Sequence, residues 1–315
     1  MSSSEGFVLA LSGGIGGAKL ALGLYRVLPP GALTVVANTG DDFAHLGLSI
    51  SPDIDTLLYT LAGIDNPELG WGRRDETWTF MKALARLGGE TWFNLGDGDL
   101  ATHVERTRRL AAGESLSQIT DDFRRRLGIR ARLLPMSDDP VRTRLLTAEG
   151  WRDFQDYFVR QRCAPMVREI AFAGAHEARP QPDFLAALAD DNLRAVVICP
   201  SNPFISIDPI LSVPGVRGAL RACAAPVIAV SPIIGGKAVK GPTAKMMAEL
   251  GLPVDSAAVA RHYSDILDCY VADEADAGEV ADLGVPVTFT RTLMLSLEDR
   301  ETLARAVLEA AGRGS

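Results

Sequence analysis

The chain of 315 residues, with 47% hydrophobic and 23% charged residues, has the composition of a folded protein large enough for one large α/β domain and an accessory part. Its formal net charge of -8 excludes a broad cationic surface for a polynucleotide or an anionic membrane, although a small anionic ligand can still bind at a local site. The cysteines are far apart and never form a CxxC pair, which argues against a zinc cage and a disulfide framework and favours the reducing cytoplasm.

Apolar runs rich in β-branched residues alternate along the chain with segments in which apolar residues recur every three or four positions. Residues 1–5 lack a basic region and lead into only a short apolar run, so we expect no targeting segment and no membrane span. The alternation predicts an α/β, Rossmann-like fold, in which helices cover a doubly wound, mostly parallel sheet. The predicted strands are 7–11, 33–37, 195–199, 227–230 and 269–272, and the predicted helices are 20–28, 55–61, 76–87, 116–127, 183–188 and 243–250.

Between residues 129 and 174 the pattern changes to an alternation of polar and apolar residues at every second position. Such alternation is typical of antiparallel strands with one buried face. We therefore predict a small inserted antiparallel α+β subdomain at 129–174, within a Rossmann-like core of 1–128 and 175–315 that carries the ligand sites. The Gly/Ser end at 312–315 is predicted to fray. The strands of the insert are predicted at 131–136, 142–146, 151–158 and 167–172.

The segment SGGIGGAK at 12–19 lies between the first predicted strand and the first predicted helix. Backbone amides at a helix N-terminus favour anions, so we expect a phosphate to bind there. The pattern is neither of two familiar loops, because a lysine stands where GxGxxG has its last glycine and no Gly-Lys-Ser/Thr follows. Nicotinamide or ATP binding is thereby weakened but stays open, as does a structural role for the glycines in a tight turn. The predicted binding residues are Gly13, Gly14, Gly16, Gly17 and Lys19.

Two further loops of small residues follow later strands, PSNP at 200–203 and SPIIGGK at 231–237. Ligands of an open α/β sheet bind at the carboxyl ends of its strands, so the three loops are expected to converge on one ligand. Each loop alone also fits a structural role, the first as a helix cap with a turn and the second as a hinge. The predicted binding residues are Ser201, Asn202, Ser231, Gly235 and Gly236.

Aspartates recur in three segments near these loops, NTGDD at 38–42, SPDIDT at 51–56 and GDGD at 96–99, the last followed closely by His103. Carboxylates near a phosphate repel it unless a cation lies between them, which makes bound Mg²⁺ the economical interpretation. Asp53 also fits a structural role in the first turn of a helix that starts with Ser-Pro. We predict Asp41, Asp42 and Asp55 as catalytic residues, these three with Asp53 as metal ligands, and Asn38, Asp53, Asp97, Asp99 and His103 as further binding residues.

Seven motifs follow one another along the chain: SGGIGGAK at 12–19, NTGDD at 38–42, ISPDIDT at 50–56, LGDGDLATH at 95–103, LPMSDDP at 134–140, CPSNP at 199–203 and VSPIIGG at 230–236. In this order they closely resemble those of the CofD/FbiA family, the 2-phospho-L-lactate transferases of coenzyme F420 biosynthesis.

The resemblance implies a homodimeric enzyme that uses Mg²⁺ to join a guanosine-diphosphate-linked acid to the deazaflavin alcohol Fo, with GMP leaving. Transfer of enolpyruvate would give dehydro-F420-0 and transfer of lactate would give F420-0. A glycerate derivative is also open, and we favour phosphoenolpyruvate.

The resemblance also has one departure. Some relatives carry an arginine in the Gly-Asp-x-Asp loop, where this chain has Gly98 and then Leu100. We expect Arg106 to be the candidate for the missing cationic contact to Fo. Carried over residue by residue, the metal and Fo contacts fall on Asp53 or Asp55, and the guanosine diphosphate contacts fall on Ser201, Asn202 and 231–236.

Two other classes of protein remain open from the sequence. An NAD(P)-dependent oxidoreductase would account for the Rossmann-like pattern and for an acid after the second strand, but not for the further acidic segments. A non-catalytic nucleotide-binding regulator would need the loops but not several carboxylates. Divalent-ion-dependent turnover would distinguish the transferase from both classes.

Overall fold

The computed structural model describes residues 6–68, 71–239, 241–278, 280 and 283–313. The N-terminal segment 1–5 and the last two residues of the end predicted to fray lie outside this part of the chain. The strands are β1 Phe7–Ser12, β2 Leu33–Ala37, β3 Phe43–His45, β4 Leu48–Ile50, β5 Arg132–Pro135, β6 Arg142–Thr147, β7 Gly150–Asp153, β8 Glu169–Ala173, β9 Leu193–Ile198, β10 Val227–Val230, β11 Ile233–Ile234, β12 Lys237–Ala238, β13 Cys269–Ala272 and β14 Val287–Phe289. The helices are α1 Gly14–Val27, α2 Pro52–Ala62, α3 Thr79–Arg86, α4 Asp97–Ala111, α5 Leu116–Arg126, α6 Pro182–Leu188, α7 Asp208–Ser212, α8 Val216–Ala222, α9 Thr243–Glu249, α10 Ser256–His262 and α11 Leu297–Arg313, with π-helical turns at Asp156–Arg160 and Pro203–Ile207 and a 3-10 turn at Glu274–Asp276.

A seven-stranded parallel sheet lies at the centre, in the order β14-β13-β10-β9-β1-β2-β5. The chain adds strands outward from β1 on one side and from β9 on the other, so the strand order reverses between these two neighbours. The loops after β1 and β9 therefore flank the crevice where ligands bind in open α/β sheets. The predicted Rossmann-like, doubly wound fold is confirmed.

The central strand β1 shows why the sheet is covered on both faces. Val8 and Ala10 pack into a hydrophobic cluster with α1, α2 and α11, whereas Leu9 and Leu11 pack into a cluster with helices of the chain after residue 180. A strand that buries both faces is a nearly continuous apolar run, as this segment is. The sheet is therefore a rigid platform for the loops at its carboxyl edge.

The antiparallel insert is smaller than predicted. Its first predicted strand, 131–136, is β5, which pairs in parallel with β2 at the edge of the central sheet. Leu133 and Leu134 face opposite sides of that sheet and both are buried, so the segment has two covered faces. The strand predicted at 151–158 is divided into β7 and a π-helical turn. The antiparallel sheet is β7-β6-β8, and the other domain boundaries stay a prediction.

Helix α4 is an element that the sequence patterns did not predict. Its start, GDGD, has the glycines and aspartates typical of loops. In the structure Gly96 is the N-cap, and Asp97 and Asp99 occupy the first turn, where the helix dipole stabilises carboxylates.

No helix within the described residues is long and apolar enough to cross a lipid bilayer.

Helix α1 approaches α11 so closely that position 23 favours glycine. A Cβ built on Gly23 would lie 2.1 Å from the carbonyl oxygen of Arg300. We expect Gly23→Ala to lower the free energy of unfolding by about 1–3 kcal/mol, because overpacking outweighs the better helix propensity of alanine. Gly218→Ala in α8, where the new Cβ meets no atom within 4 Å, is the control and is expected to raise stability by up to about 1 kcal/mol. Urea unfolding measures both, and a stabilised Gly23→Ala would contradict the close approach.

Candidate active site

A cavity of about 600 Å³ opens at the carboxyl ends of β1, β2, β9 and β10, where the strand order reverses. Loops that are far apart in the sequence meet there. The predicted site residues that line the cavity are Gly13, Gly14, Gly16, Lys19, Asp41, Asp53, Asp55, Asp99, His103, Ser201, Asn202 and Ser231. The predicted site residues that lie outside the lining are Gly17, Asn38, Asp42, Asp97, Gly235 and Gly236.

The first glycine loop turns tightly between β1 and α1. Gly14 has a φ of +60°, in the left-handed region that favours glycine, and its N–H donates to Asp53 Oδ1 at 2.7 Å. A Cβ on Gly16 would lie 2.3 Å from the carbonyl oxygen of Pro200. The Gly14 amide is thus already paired with a carboxylate, and Gly16 allows α1 to pack against the loop after β9. Phosphate binding by this loop stays a prediction.

Asp53 joins two strand-end loops. It lies in the first turn of α2, and it accepts hydrogen bonds from Gly14 N and from Asn38 Nδ2 at 2.9 Å. Asn38 also donates to the Ile205 carbonyl at 3.2 Å and accepts from Gly40 N at 2.8 Å. Asn38 therefore braces the loop, and a ligand contact by this residue stays a prediction. Burial raises the pKa of Asp53 to about 6, although the hydrogen bonds from Asn38 and Gly14 lower it.

The neighbouring carboxylates of Asp41 and Asp42 are both buried but have different surroundings. Asp41 lines the cavity, and its Oδ1 has no hydrogen-bond partner among the described residues. Burial, and then the charge of Asp53, raises the pKa of Asp41 well above its usual range. Asp42 accepts from Ser51 Oγ at 2.8 Å outside the cavity lining, and burial raises its pKa to about 7. Asp42 Oδ1 also has no hydrogen-bond partner among the described residues, and the catalytic and metal-binding role of Asp42 stays a prediction.

A second acidic group forms where α2 and α4 meet. Asp55, Asp99 and His103 offer ligand atoms that lie within 4.8 Å of one another. His103 Nδ1 lies 3.6 Å from Asp55 Oδ2, and His103 Nε2 lies 3.2 Å from Asp99 Oδ2. The Tyr59 hydroxyl donates to Asp99 Oδ1 at 2.5 Å. Asp55 therefore belongs to a different set of side chains from the other predicted metal ligands.

Arg106 does not reach the cavity, so the expectation that it contacts Fo is wrong. Its side chain is only 1% exposed, and both terminal guanidinium nitrogens contact the Asp55 carboxylate, Nη1 to Oδ2 at 3.1 Å. Nη1 also lies 3.4 Å from His103 Nδ1 and 3.4 Å from the carbonyl oxygen of Ser49. The guanidinium is buried against the Asp55 carboxylate, and its positive charge therefore serves as an internal counter-ion for Asp55.

Three other predicted binding residues have structural roles outside the cavity lining, and ligand contacts by them stay a prediction. Asp97 accepts from Thr79 N at 3.0 Å and from Phe80 N at 2.9 Å, so its carboxylate satisfies the first amides of α3. Gly235 and Gly236 form the two-residue turn between β11 and β12, with φ values of +55° and +68°. Such turns favour glycine because both central residues have positive φ.

The loops after β1 and β9 are tied together at the cavity. The Ser201 hydroxyl donates to the Gly13 carbonyl at 2.7 Å. The Lys19 ammonium donates to the carbonyl oxygen of Met294 at 2.8 Å while its side chain lines the cavity. The Asn202 side chain caps the π-helical turn that follows it, as the helix-cap interpretation predicted. These polar side chains of the cavity lining therefore hold the loops around them in place.

Tyrosine, tryptophan and phenylalanine side chains also line the cavity. Besides Tyr59 they are Trp71, Phe93, Phe154 and Phe158, and these four are here called the aromatic wall. Phe154 and Phe158 are stacked, with ring centroids 5.2 Å apart and planes inclined by 19°. The sequence motifs did not include these residues. The four-residue spacing of the two phenylalanines, which is a helical spacing, was the available signal for part of the wall.

Arg160 joins two of the three segments that carry the aromatic wall. Its Nη2 lies 3.2 Å from Glu90 Oε1, and its guanidinium carbon lies 4.7 Å from the centroid of the Trp92 ring. Glu90 and Trp92 belong to the segment between α3 and α4, which carries Phe93, whereas Arg160 ends the π-helical turn that carries Phe158. An ion pair and a cation–π contact therefore link these two segments. Trp71 belongs to the third segment, between α2 and α3.

Comparison with known proteins gives consistent results. A family model described as 2-phospho-L-lactate transferase CofD matches residues 8–288. A phosphoenolpyruvate transferase of Streptomyces griseus is 41% identical over 313 residues, covering 96% of this chain and 98% of the relative. One of Kitasatospora aureofaciens is 42% identical over 314 residues, with 96% and 97% coverage, and one of Mycobacterium tuberculosis is 39% identical over 330 residues, with 97% and 98% coverage.

A similar fold occurs in a solved structure of low sequence identity. A crystal structure of a member of the UPF0052 family from Bacillus halodurans has a TM-score of 0.66 to this chain at 14% identity. The match covers 98% of this chain and 100% of that chain. At this identity the likeness supports the fold alone.

The raised pKa of Asp42 makes stability depend on pH. Between the ordinary value of 3.8 and the folded value of about 7, the folded protein keeps a proton that the unfolded chain has lost. The free energy of unfolding therefore falls as the pH rises through this range. In EDTA, we expect Asp42→Asn to gain stability relative to the wild type by a few kcal/mol between about pH 5 and about pH 8, as measured by urea unfolding.

The control for this prediction is Asp183→Asn. The Asp183 side chain is 52% exposed and pairs with Arg132 on the surface. Its effect on the free energy of unfolding is expected to stay nearly constant over the same pH range. A constant difference for Asp42→Asn as well would mean that Asp42 is not protonated in the folded protein near neutral pH.

Proposed function

Because the chain belongs to the CofD family of 2-phospho-L-lactate transferases, and is accordingly a phosphotransferase of coenzyme F420 biosynthesis, we propose that it transfers a phosphorylated acid from a guanosine-diphosphate-linked donor to Fo. GMP leaves. The observation that carries the proposal is one cavity lined both by polar residues at the ends of β1 and β9, here called its polar half, and by the aromatic wall, here called its aromatic half. A nucleotide donor and a flat tricyclic acceptor need a site of this kind.

The polar half suits the guanosine-linked donor. Lys19 brings a positive charge to the cavity lining, and α1 begins at the same place, where a helix N-terminus favours anions. Ser201 and Ser231 add hydroxyl groups from the loops after β9 and β10. We therefore place the diphosphate beside α1 and the guanosine along the loops after β9 and β10.

Asp41 and Asp53 are the residues that we propose as Mg²⁺ ligands. The buried Oδ1 of Asp41, which has no hydrogen-bond partner among the described residues, is a hard oxygen donor of the kind that Mg²⁺ prefers. The charge of Asp53 raises the pKa of Asp41, and a divalent cation would relieve that repulsion. When bound, Mg²⁺ neutralises charge on the phosphoryl oxygens. Both aspartates line the cavity, so the donor set fits the predicted metal.

The aromatic half suits the deazaflavin ring. A flat ring can stack on the aromatic wall and place its ribityl chain toward the carboxylates. Asp55 lines the cavity there and can accept a hydrogen bond from the terminal hydroxyl. The hydroxyl oxygen attacks the acid-bearing phosphorus, the bond from that phosphorus to GMP breaks, and the hydroxyl proton is lost. The protein mainly contributes alignment and charge to this step.

For the transferred acid we propose enolpyruvate, which would give dehydro-F420-0, because the curated relatives carry the name phosphoenolpyruvate transferase. Transfer of lactate, which would give F420-0, is the alternative that the description of the family favours. The homodimer implied by the family resemblance and a cytoplasmic location are also proposals. The net charge of -8 agrees with the proposal of no nucleic-acid or membrane partner, and the wide spacing of the cysteines, with no CxxC pair, agrees with a reducing compartment.

Incubation with Mg²⁺, Fo and each guanosine-linked acid tests the proposal, with GMP and the deazaflavin product followed by chromatography and mass. We expect the enolpyruvate donor to give product. Asp41→Asn is expected to lower the rate by at least about 100-fold and to weaken the response to Mg²⁺, because a metal-binding charge is lost. Asp183→Asn, on the exposed start of α6, is the charge-matched control. Fo binding without product from any donor would leave a non-catalytic binding protein.

The aromatic wall gives a separate kinetic prediction. Phe158 is 39% exposed, so its truncation leaves the hydrophobic core intact. We expect Phe158→Ala to raise KM for Fo by about five- to tenfold, because an aromatic contact is lost, and to leave KM for the donor unchanged. Trp151→Ala is the control, since Trp151 is 41% exposed on β7 outside the cavity lining. Equal increases in both KM values would contradict the assignment of the wall to Fo.

A further inference from the structure

Asp55, Asp99 and His103 have the ligand atoms and the spacing of a divalent metal site, yet a guanidinium group already lies against them. We propose that Arg106 is a positioning residue, a built-in counter-cation that keeps this group free of metal and holds Asp55 in place for the attacking hydroxyl. The role of Asp55 rests on the proposed function. The exclusion of metal does not, because it follows from the contacts of this chain alone.

The guanidinium of Arg106 occupies the place that a cation would take beside Asp55. Both of its terminal nitrogens contact the carboxylate, and the side chain is almost completely buried. Two parallel contacts between a planar guanidinium and a carboxylate fix orientation as well as charge. A divalent ion at Asp55 would have to displace or approach a buried positive charge, which is repulsive at low dielectric.

The histidine of the group has a charged neighbour on each side. His103 Nδ1 faces the Arg106 guanidinium at 3.4 Å, and a guanidinium nitrogen can only donate. His103 Nε2 makes no hydrogen bond among the described residues, but it lies 3.2 Å from the negatively charged Asp99 carboxylate, which can only accept. This arrangement favours the tautomer with the proton on Nε2, whose lone pair on Nδ1 points to Arg106. Neither ring nitrogen then offers a lone pair to a metal ion.

The carboxylates of Asp99 and Asp41 show why metal is excluded from one acidic group and not from the other. Asp99 is occupied by the Tyr59 hydroxyl on the oxygen that does not face His103. In the loop after β2, by comparison, Asp41 Oδ1 has no hydrogen-bond partner among the described residues. One acidic group thus carries its own cation, and the other carries an unsatisfied carboxylate oxygen. The metal therefore belongs with Asp41, and Asp55 remains available to orient a hydroxyl group.

Zinc binding measured by equilibrium dialysis tests the exclusion of metal without any substrate. Zn²⁺ is the probe because it accepts mixed nitrogen and oxygen ligands. We expect Arg106→Met to bind about one more Zn²⁺ per chain than the wild type, and the double variant Arg106→Met with His103→Asn to lose that ion. Arg106→Lys keeps the positive charge, so its zinc content should equal that of the wild type. An unchanged zinc content in Arg106→Met that circular dichroism shows to be folded would overturn the proposal.

His103→Asn in the otherwise unchanged chain tests the proposal even if Arg106→Met does not fold. Its zinc content is expected to equal that of the wild type, because the group holds no metal. Loss of about one Zn²⁺ in this variant would show that the group binds metal beside Arg106, and the proposal would be wrong.

The positioning of Asp55 is tested by kinetics. Arg106→Lys keeps the charge but loses the planar fork, so we expect kcat to fall by about tenfold with little change in either KM. A kcat equal to that of the wild type would overturn the positioning role. Because the zinc counts need no turnover, they decide the exclusion of metal even where no donor gives product.

Discussion

The site depends on the carboxylate of Asp53 more than on any other single contact. It accepts the Gly14 amide at the end of β1 and the Asn38 side-chain amide at the end of β2, so it joins two loops that lie beside the reversal of strand order. The carboxylate is buried, and loss of either donor would leave its charge poorly compensated, at a cost on the order of a few kcal/mol. The shape of the polar half of the cavity follows from this one side chain.

Two aspartates of the same helical turn have different electrostatic surroundings because of helix geometry. Asp53 and Asp55 are two residues apart in α2, so their side chains leave the helix in widely different directions. Asp53 faces the glycine loop and backbone amides, whereas Asp55 faces α4 and the guanidinium of Arg106. A motif that looks like one acidic cluster in the sequence therefore supplies two different carboxylates, one that joins two loops and one that is neutralised by a buried guanidinium.

The sequence predicted the features that depend on the chain itself. Apolar runs identified the central strands, and the rule that ligands bind at strand ends brought Gly13, Asp41 and Ser201 to one cavity. The features that depend on tertiary partners were not predictable. Leu133 and Leu134 belong to the central sheet because both faces of the sheet are covered there. Asp97 caps α3, a helix that precedes it in the chain. Arg106 is buried against α2, where it contacts Asp55.

The link made by Arg160 has a consequence for how such enzymes can diverge. The polar half of the cavity is formed by loops at strand ends of the central sheet, whereas the aromatic wall is formed by three segments outside that sheet. Arg160 links two of these segments through its contacts with Glu90 and Trp92. On the proposed assignment of the wall to the acceptor, exchange of the two linked segments together would change acceptor preference while the sheet is left unchanged. A graft of only one of the two segments would separate Arg160 from Glu90 and Trp92, and the link would be lost.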